Sequence, residues 1–178
     1  GKAMVEMKDE YILLPRNIAV LRRTIKCYDE VGLPGCCGSM DVVHVKWSCC
    51  PTGDHNRAKG RAGYPTLAFQ CITDFNRRVI GIFGPQFGTR NDKEIVKVDP
   101  NVHRIRTGWF KDVLWRYYTS EGRVQKERGA YLICDNGYHR WPISISPYAS
   151  ADCASVERYF STNLESIRKD VECTFGIL

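Results

Sequence analysis

Residues 65–84, PTLAFQCITDFNRRVIGIFG, constrain the fold of this chain more than any other stretch. Two β-preferring runs flank Asp74-Phe75-Asn76-Arg77, a polar tetrapeptide of turn type, so the stretch predicts a hairpin. A Val-rich run, SMDVVHVKW at residues 39–47, comes before it, and AYLICD at residues 130–135 comes after it. Three consecutive strands imply a meander. A fourth strand reached through a helix implies a parallel crossover onto the same sheet.

Helical spacing fills the gaps. PRNIAVLRRTIKCYDEVG has apolar residues at Ile18, Leu21, Ile25 and Val31, with Pro15 near its start and Gly32 just past its end. WFKDVLWRYYTS, residues 109–120, predicts a helix with Phe110, Val113, Leu114 and Tyr117 on one side. Residues 162–178 predict a final helix that opens on a Thr162-x-x-Glu165 capping box. Its apolar stripe is Leu164, Ile167, Val171, Phe175 and Leu178. The expected fold is therefore α/β: a mixed sheet, three-strand meander plus one parallel strand, with flanking helices. A ribonuclease-H-like layer has this order, as do several other folds.

The chain has 178 residues, 43% of them hydrophobic, enough for one domain with a sizeable core. No apolar run approaches the ~20 residues needed to span a bilayer, and the N-terminal stretch lacks the apolar core of a signal peptide. The net charge of +6 leans toward a polyanionic partner. Nine cysteines include no C-x-x-C spacing. They read as reduced residues partly filling a core, in a cytosolic or nuclear compartment, rather than as a zinc site.

Three acids stand out. Asp41 lies inside a strand, where Asp is disfavoured. Asp135 ends the fourth strand, just before Asn136-Gly137. If those strands are neighbours, the two carboxylates approach across ~4.8 Å. Glu172, on the final helix, lies beside its apolar stripe and could reach both. Converging carboxylates repel, and a hard divalent cation removes that penalty. Two such ions ~3.5–4 Å apart can act on a phosphodiester. Asp-Asn-Gly after a strand also reads as plain turn chemistry, and Glu172 alone as a surface residue.

Four stretches resemble DDE transposases of the PIF/Harbinger group. GLPGCCGSMDVVHVKW is similar to the block carrying the first catalytic Asp, at Asp41, and a His, at His44. GPQFGTRND is similar to a Gly-Ser-x-Asn-Asp block and ends at Asp92. LICDNGY carries the second Asp at Asp135, and SIRKDVECTFGIL the Glu at Glu172. The resemblance implies a ribonuclease-H-like domain over residues 35–178, preceded by a helical lead-in over residues 1–34. It implies Mg²⁺ (or Mn²⁺), two ions, held by Asp41, Asp135 and Glu172. It further implies cutting of double-stranded DNA at transposon ends, joining of the freed 3′-hydroxyl to target DNA, a nuclear location and, in some members, a Myb-like DNA-binding partner protein. The chain stops six residues after Glu172, where members continue the helix, so a fragment or truncated copy is expected. A catalytically silent DNA-binding or adaptor protein derived from such an element is the competing expectation.

Asp92 is either a fourth acid of the site or the start of a short helix capped by Asn91, the reading preferred here. His44, three residues beyond Asp41, faces the opposite side of a regular strand and reads as a supporting residue rather than a ligand. Arg57, Lys59 and Arg61 in HNRAKGRAGYP suit phosphate contacts, or an ordinary solvated loop. Arg168, one turn before Glu172, can pair with it or touch a phosphate.

Overall fold

A computed structural model describes residues 10–149 and 155–176. Its centre is a five-stranded sheet whose strands lie in the order Val79–Phe87, Thr66–Thr73, Cys36–Lys46, Tyr131–Ile133 and Ser144–Ile145. Strands β1 (Cys36–Lys46), β2 (Thr66–Thr73) and β3 (Val79–Phe87) form the antiparallel meander. Asp74 turns it, its Oδ1 accepting from the backbone N–H groups of Asn76 at 2.9 Å and Arg78 at 3.0 Å. β6 (Tyr131–Ile133) runs parallel to β1, and the two-residue β7 (Ser144–Ile145) runs parallel to β6. The protein is thus α/β with a mixed sheet and flanking helices.

The helices cover the two faces unequally. α1 (Ile18–Glu30) begins at Asn17, whose side chain accepts from Val20 N–H at 2.8 Å. It buries Leu21, Ile25 and Tyr28, while Ile18 and Val31, both expected on its apolar side, are exposed. The short helix α2 (His55–Ala58) lies in the loop after β1. α3 (Asp92–Val98) and α4 (Pro100–Arg106) pack one face of the sheet, around Met40, Ile72, Ile80, Val96, Val102 and Leu132. α5 (Ser155–Phe175) packs the other, where Leu164 meets Cys36, Tyr131 and Ile133. Leu164 and Val171 are fully buried, each worth about 1.5–3 kcal/mol of apolar transfer. Arg77 Nε donates to Asp170 at 2.9 Å, which ties α5 to the turn between β2 and β3.

β1 is irregular between Cys36 and Gly38, where its pairing with β6 shifts register. Cys36 belongs to the α5 side and Cys37 to the α3/α4 side. Beyond the shift, Ser39 bonds the α5 backbone at Arg168, whereas Met40 joins the α3/α4 core.

Three sequence expectations are corrected. Residues 109–120 are not a helix: β4 (Leu114–Tyr118) pairs with β5 (Val124–Arg128) as a separate two-stranded ribbon. Aromatic and β-preferring residues there alternate between exposed and half-buried, which a strand satisfies and a helix does not. The final helix already runs at Ser155, and Thr162 is inside it, donating back to Arg158 O at 3.0 Å instead of capping. The fourth strand spans only three residues, so Asp135 follows it. Leu178 of the predicted stripe, and residues 1–9 of the lead-in, lie outside the described residues.

Candidate functional site

The central strand sets the site. On one side Asp41 pairs with Cys71 of β2. On the other, Ser39 is in register with Ile133 of β6. Asp41 and Asp135 each stand two residues past that pair, so strand alternation gives both the same side. Asp135 Oδ1 accepts from Gly137 N–H at 2.8 Å. Asp135 therefore makes the turn that follows β6. The turn reading of Asp-Asn-Gly is thus seen directly.

Asp92 approaches Asp135 from α3. Asn91 is the cap, its Oδ1 accepting from Glu94 N–H at 3.0 Å. Asp92, the first helical residue, is thereby released from capping and turns toward Gly137. A methyl group at Gly137 would lie 2.8 Å from Asp135 Oδ1 and 3.2 Å from Asp92 Oδ2. Glycine at 137 is what lets these two carboxylates flank one backbone position. Behind them Tyr138 is buried, its hydroxyl donating to Gln70 Oε1 at 3.2 Å.

The electrostatics follow from this crowding. Burial raises the Asp41 carboxyl to about 6; Val42 N–H and Arg168 oppose the rise, and Asp135 and Asp92 add to it. Burial and then Asp135 raise Asp92, against the pull of His44 and Arg61. Burial raises Tyr138 well above its ordinary value, with Asp41, Asp92 and Asp135 all contributing. Three carboxylates therefore repel one another around a buried phenol.

Glu172 reaches Asp41 only through an arginine. Arg168 Nη1 donates to Asp41 Oδ2 at 3.2 Å, and its Nη2 donates to Glu172 Oε1 at 2.6 Å. The arginine side chain is 14% exposed and that of Glu172 46%. Burial works against the guanidinium charge, but Asp41 and Glu172 outweigh it, leaving its pKa raised. The guanidinium thus supplies positive charge between the first and third predicted acids. Among the described residues no group of three or more His, Cys, Asp or Glu is close enough to hold a metal ion.

The donor set nevertheless suits a hard divalent cation. It consists of carboxylate oxygens under mutual repulsion, and Mg²⁺ usually binds through one or two carboxylates plus water and phosphate oxygens. Asp41 and Asp135 could offer two, and Asp92 lies near Asp135 across Gly137.

A groove of about 740 Å³ opens beside the acids, lined by His44, Arg61, Arg90, Asp92, Lys93 and Gly137. Of the three basic loop residues singled out from sequence, Arg61 lines it. Arg57 turns away, lying 4.2 Å from the Phe87 ring centre and 3.5 Å from Asp54. Lys59 is exposed and its backbone bridges Pro65. His44 sits on the face opposite Arg168, bonded to Thr66 Oγ1 at 3.2 Å, in the same groove as Asp92. Sequence reasoning missed Arg90, Lys93, Gln70 and Tyr138. The first two were visible as cations bracketing Asn91-Asp92, while the Gln70–Tyr138 pair spans 68 positions with no local signal.

The profile of the plant transposon protein family matches residues 9–178. The chain belongs to the plant transposon protein family. No curated protein and no solved structure matches it. Membership makes this a transposon-related protein.

Proposed function

We propose that this plant transposon protein is a metal-dependent DNA transposase of the PIF/Harbinger type with a ribonuclease-H-like nuclease domain. The carrying observation is the crowding of Asp92 and Asp135 at Gly137, with Asp41 near enough to feel both carboxylates, beside a groove lined by Arg61, Arg90 and Lys93. Asp41 and Asp135 would hold Mg²⁺ or Mn²⁺, with Asp92 adding charge and Glu172 available through Arg168. When bound, the ions supply Lewis acidity to a phosphodiester and its attacking oxygen. The chain's own part is positioning: the groove cations take phosphate oxygens, the strand end fixes the carboxylates, and Arg168 balances Asp41 and Glu172. A nuclear location and a Myb-like partner go with this reading.

One observation favours a catalytically silent DNA-binding or adaptor role. Arg168 holds the first and third acids together by hydrogen bonds, as a permanent internal cation would. The deciding experiment is nicking of an element-end duplex with Mg²⁺ by the whole protein and by Asp135→Asn. Nicking lost in the variant supports the nuclease. Duplex binding without nicking in the unaltered protein supports the adaptor.

A further inference from the structure

The β4–β5 ribbon stands apart from the main sheet and has two unlike faces. Pairing is Leu114 with Arg128, Trp115 with Glu127, Arg116 with Lys126, Tyr117 with Gln125 and Tyr118 with Val124. Trp115 and Tyr117 are half-buried, turned toward a cleft they line with Tyr131 and Phe160. The alternate face carries Leu114, Arg116, Tyr118, Val124, Lys126 and Arg128, all exposed. It holds three cations and no acid. None of the three is in an ion pair among the described residues. Glu127 belongs to the other face, and Glu121 at the tip is held by Arg123 at 3.0 Å.

Arg116 and Lys126 face each other directly, a like-charge cross-strand pair that destabilises an isolated ribbon. No ion pair among the described residues relieves it; the nearest acid along this side is Asp29 of α1, in the groove that Arg116 also lines. The same exposed side continues to a groove of about 340 Å³ where Leu114 and Arg116 meet Arg22, Lys26 and Asp29 of α1.

We infer that the outer face of the β4–β5 ribbon is a second DNA-contacting surface, taking the phosphate backbone of duplex DNA away from the acid cluster. A two-stranded ribbon is of a size that the ~12 Å major groove admits, and unpaired cations on one face supply the counter-charge to phosphates. The ribbon is fixed rather than dangling. Trp115 Nε1 donates to Gly129 O at 3.1 Å, and its indole lies on Gly35 at the entrance to β1. Asp41 lies about 20 Å further along that strand at ~3.3 Å per residue. The inference rests on the transposase reading for its choice of duplex DNA over an acidic polypeptide.

The test is anisotropy of a labelled duplex with the whole protein in EDTA, across a salt series. Arg116→Gln/Lys126→Gln should weaken binding and lower the log K against log salt slope by about 2. Arg116→Glu should weaken binding while its melting temperature stays at or above that of the unaltered protein, because an opposite-charge pair replaces a like-charge one. That combination separates contact loss from misfolding. An unchanged slope and affinity in both variants overturns the ribbon alone, leaving the nuclease reading intact. Failure of the unaltered protein to bind duplex overturns both. Displacement of the duplex by polyglutamate at equal charge, in a manner abolished by the same variants, overturns the choice of DNA.

Discussion

Arg168 donates to Asp41 across 3.2 Å, joining positions 127 residues apart. Both side chains are largely buried, at 14% and 18% exposure. Breaking such a pair from one side leaves an uncompensated carboxylate next to Asp135 and Asp92. Arg168→Gln should therefore cost about 3 kcal/mol in the metal-free protein, the low end for breaking a buried pair. Addition of Mg²⁺ should then raise its melting temperature more than that of the unaltered protein, since the ion replaces the missing charge. Thermal unfolding with and without Mg²⁺ reads both effects. Equal Mg²⁺ responses would mean that Arg168 and the ion do not share Asp41.

Gly137 gives a sharper handle on the acids. Alanine there places a methyl group 2.8 Å from Asp135 Oδ1, which forces that carboxylate off its present bond to the Gly137 N–H. Gly137→Ala should cost about 1 kcal/mol in stability, the scale of one lost hydrogen bond. Its loss of Mg²⁺-dependent nicking should match that of Asp135→Asn. Nicking at full rate in the alanine variant would show that the placement of Asp135 is irrelevant to the chemistry.

Asn91 and Asp92 are neighbours with separable roles. Asn91→Ala removes the cap of α3 and should cost about 1 kcal/mol, with little change in Mg²⁺ response. Asp92→Asn keeps the cap and relieves repulsion with Asp135. It should leave stability within ~0.5 kcal/mol, the scale of one helix-terminus charge, and reduce stabilisation by Mg²⁺. The reverse pattern would return Asp92 to a purely local role in the helix.

Behind the site, Tyr138→Phe strands Gln70. The Gln70 Nε2 has no hydrogen-bond partner among the described residues, and the tyrosine hydroxyl is the donor to its Oε1. An unsatisfied buried amide costs about 1–3 kcal/mol. Tyr138→Phe should show that loss in urea unfolding, and Tyr138→Phe/Gln70→Leu should recover most of it. A double variant no better than the single would place the cost in packing instead.

The meander, the Asp74 turn, α1 and the Asn91 cap were legible because each is written locally, in alternation or in a capping side chain. Residues 109–120 misled because Phe110, Val113, Leu114 and Tyr117 fit helical spacing by coincidence. Phe110 and Val113 are core residues of the lead-in to β4, whereas Leu114 points outward. The aromatic pair Trp115 and Tyr117, at a spacing of two, was the competing signal. α4 carried a readable start in Asp99-Pro100, with the Asp99 side chain accepting from Asn101 N–H at 2.8 Å. Of the candidate site, Asp41, Asp92, Asp135, Glu172 and Arg168 were all singled out from sequence. Their connection was not, because an arginine standing between Asp41 and Glu172 is a tertiary fact.

Strands carry a phase of two, and β1 changes phase once, at the irregularity between Cys36 and Gly38. Without that slip Asp41 would present its carboxylate to α3 and α4, and Val42 would face Arg168. The orientation of Asp41 is therefore set upstream, where Gly38 leaves no room for a side chain: a methyl group there would stand 2.8 Å from Thr73 O. A substitution at Gly38 that restores regular pairing would leave every acid in the sequence and still turn the first of them to the wrong side of the sheet.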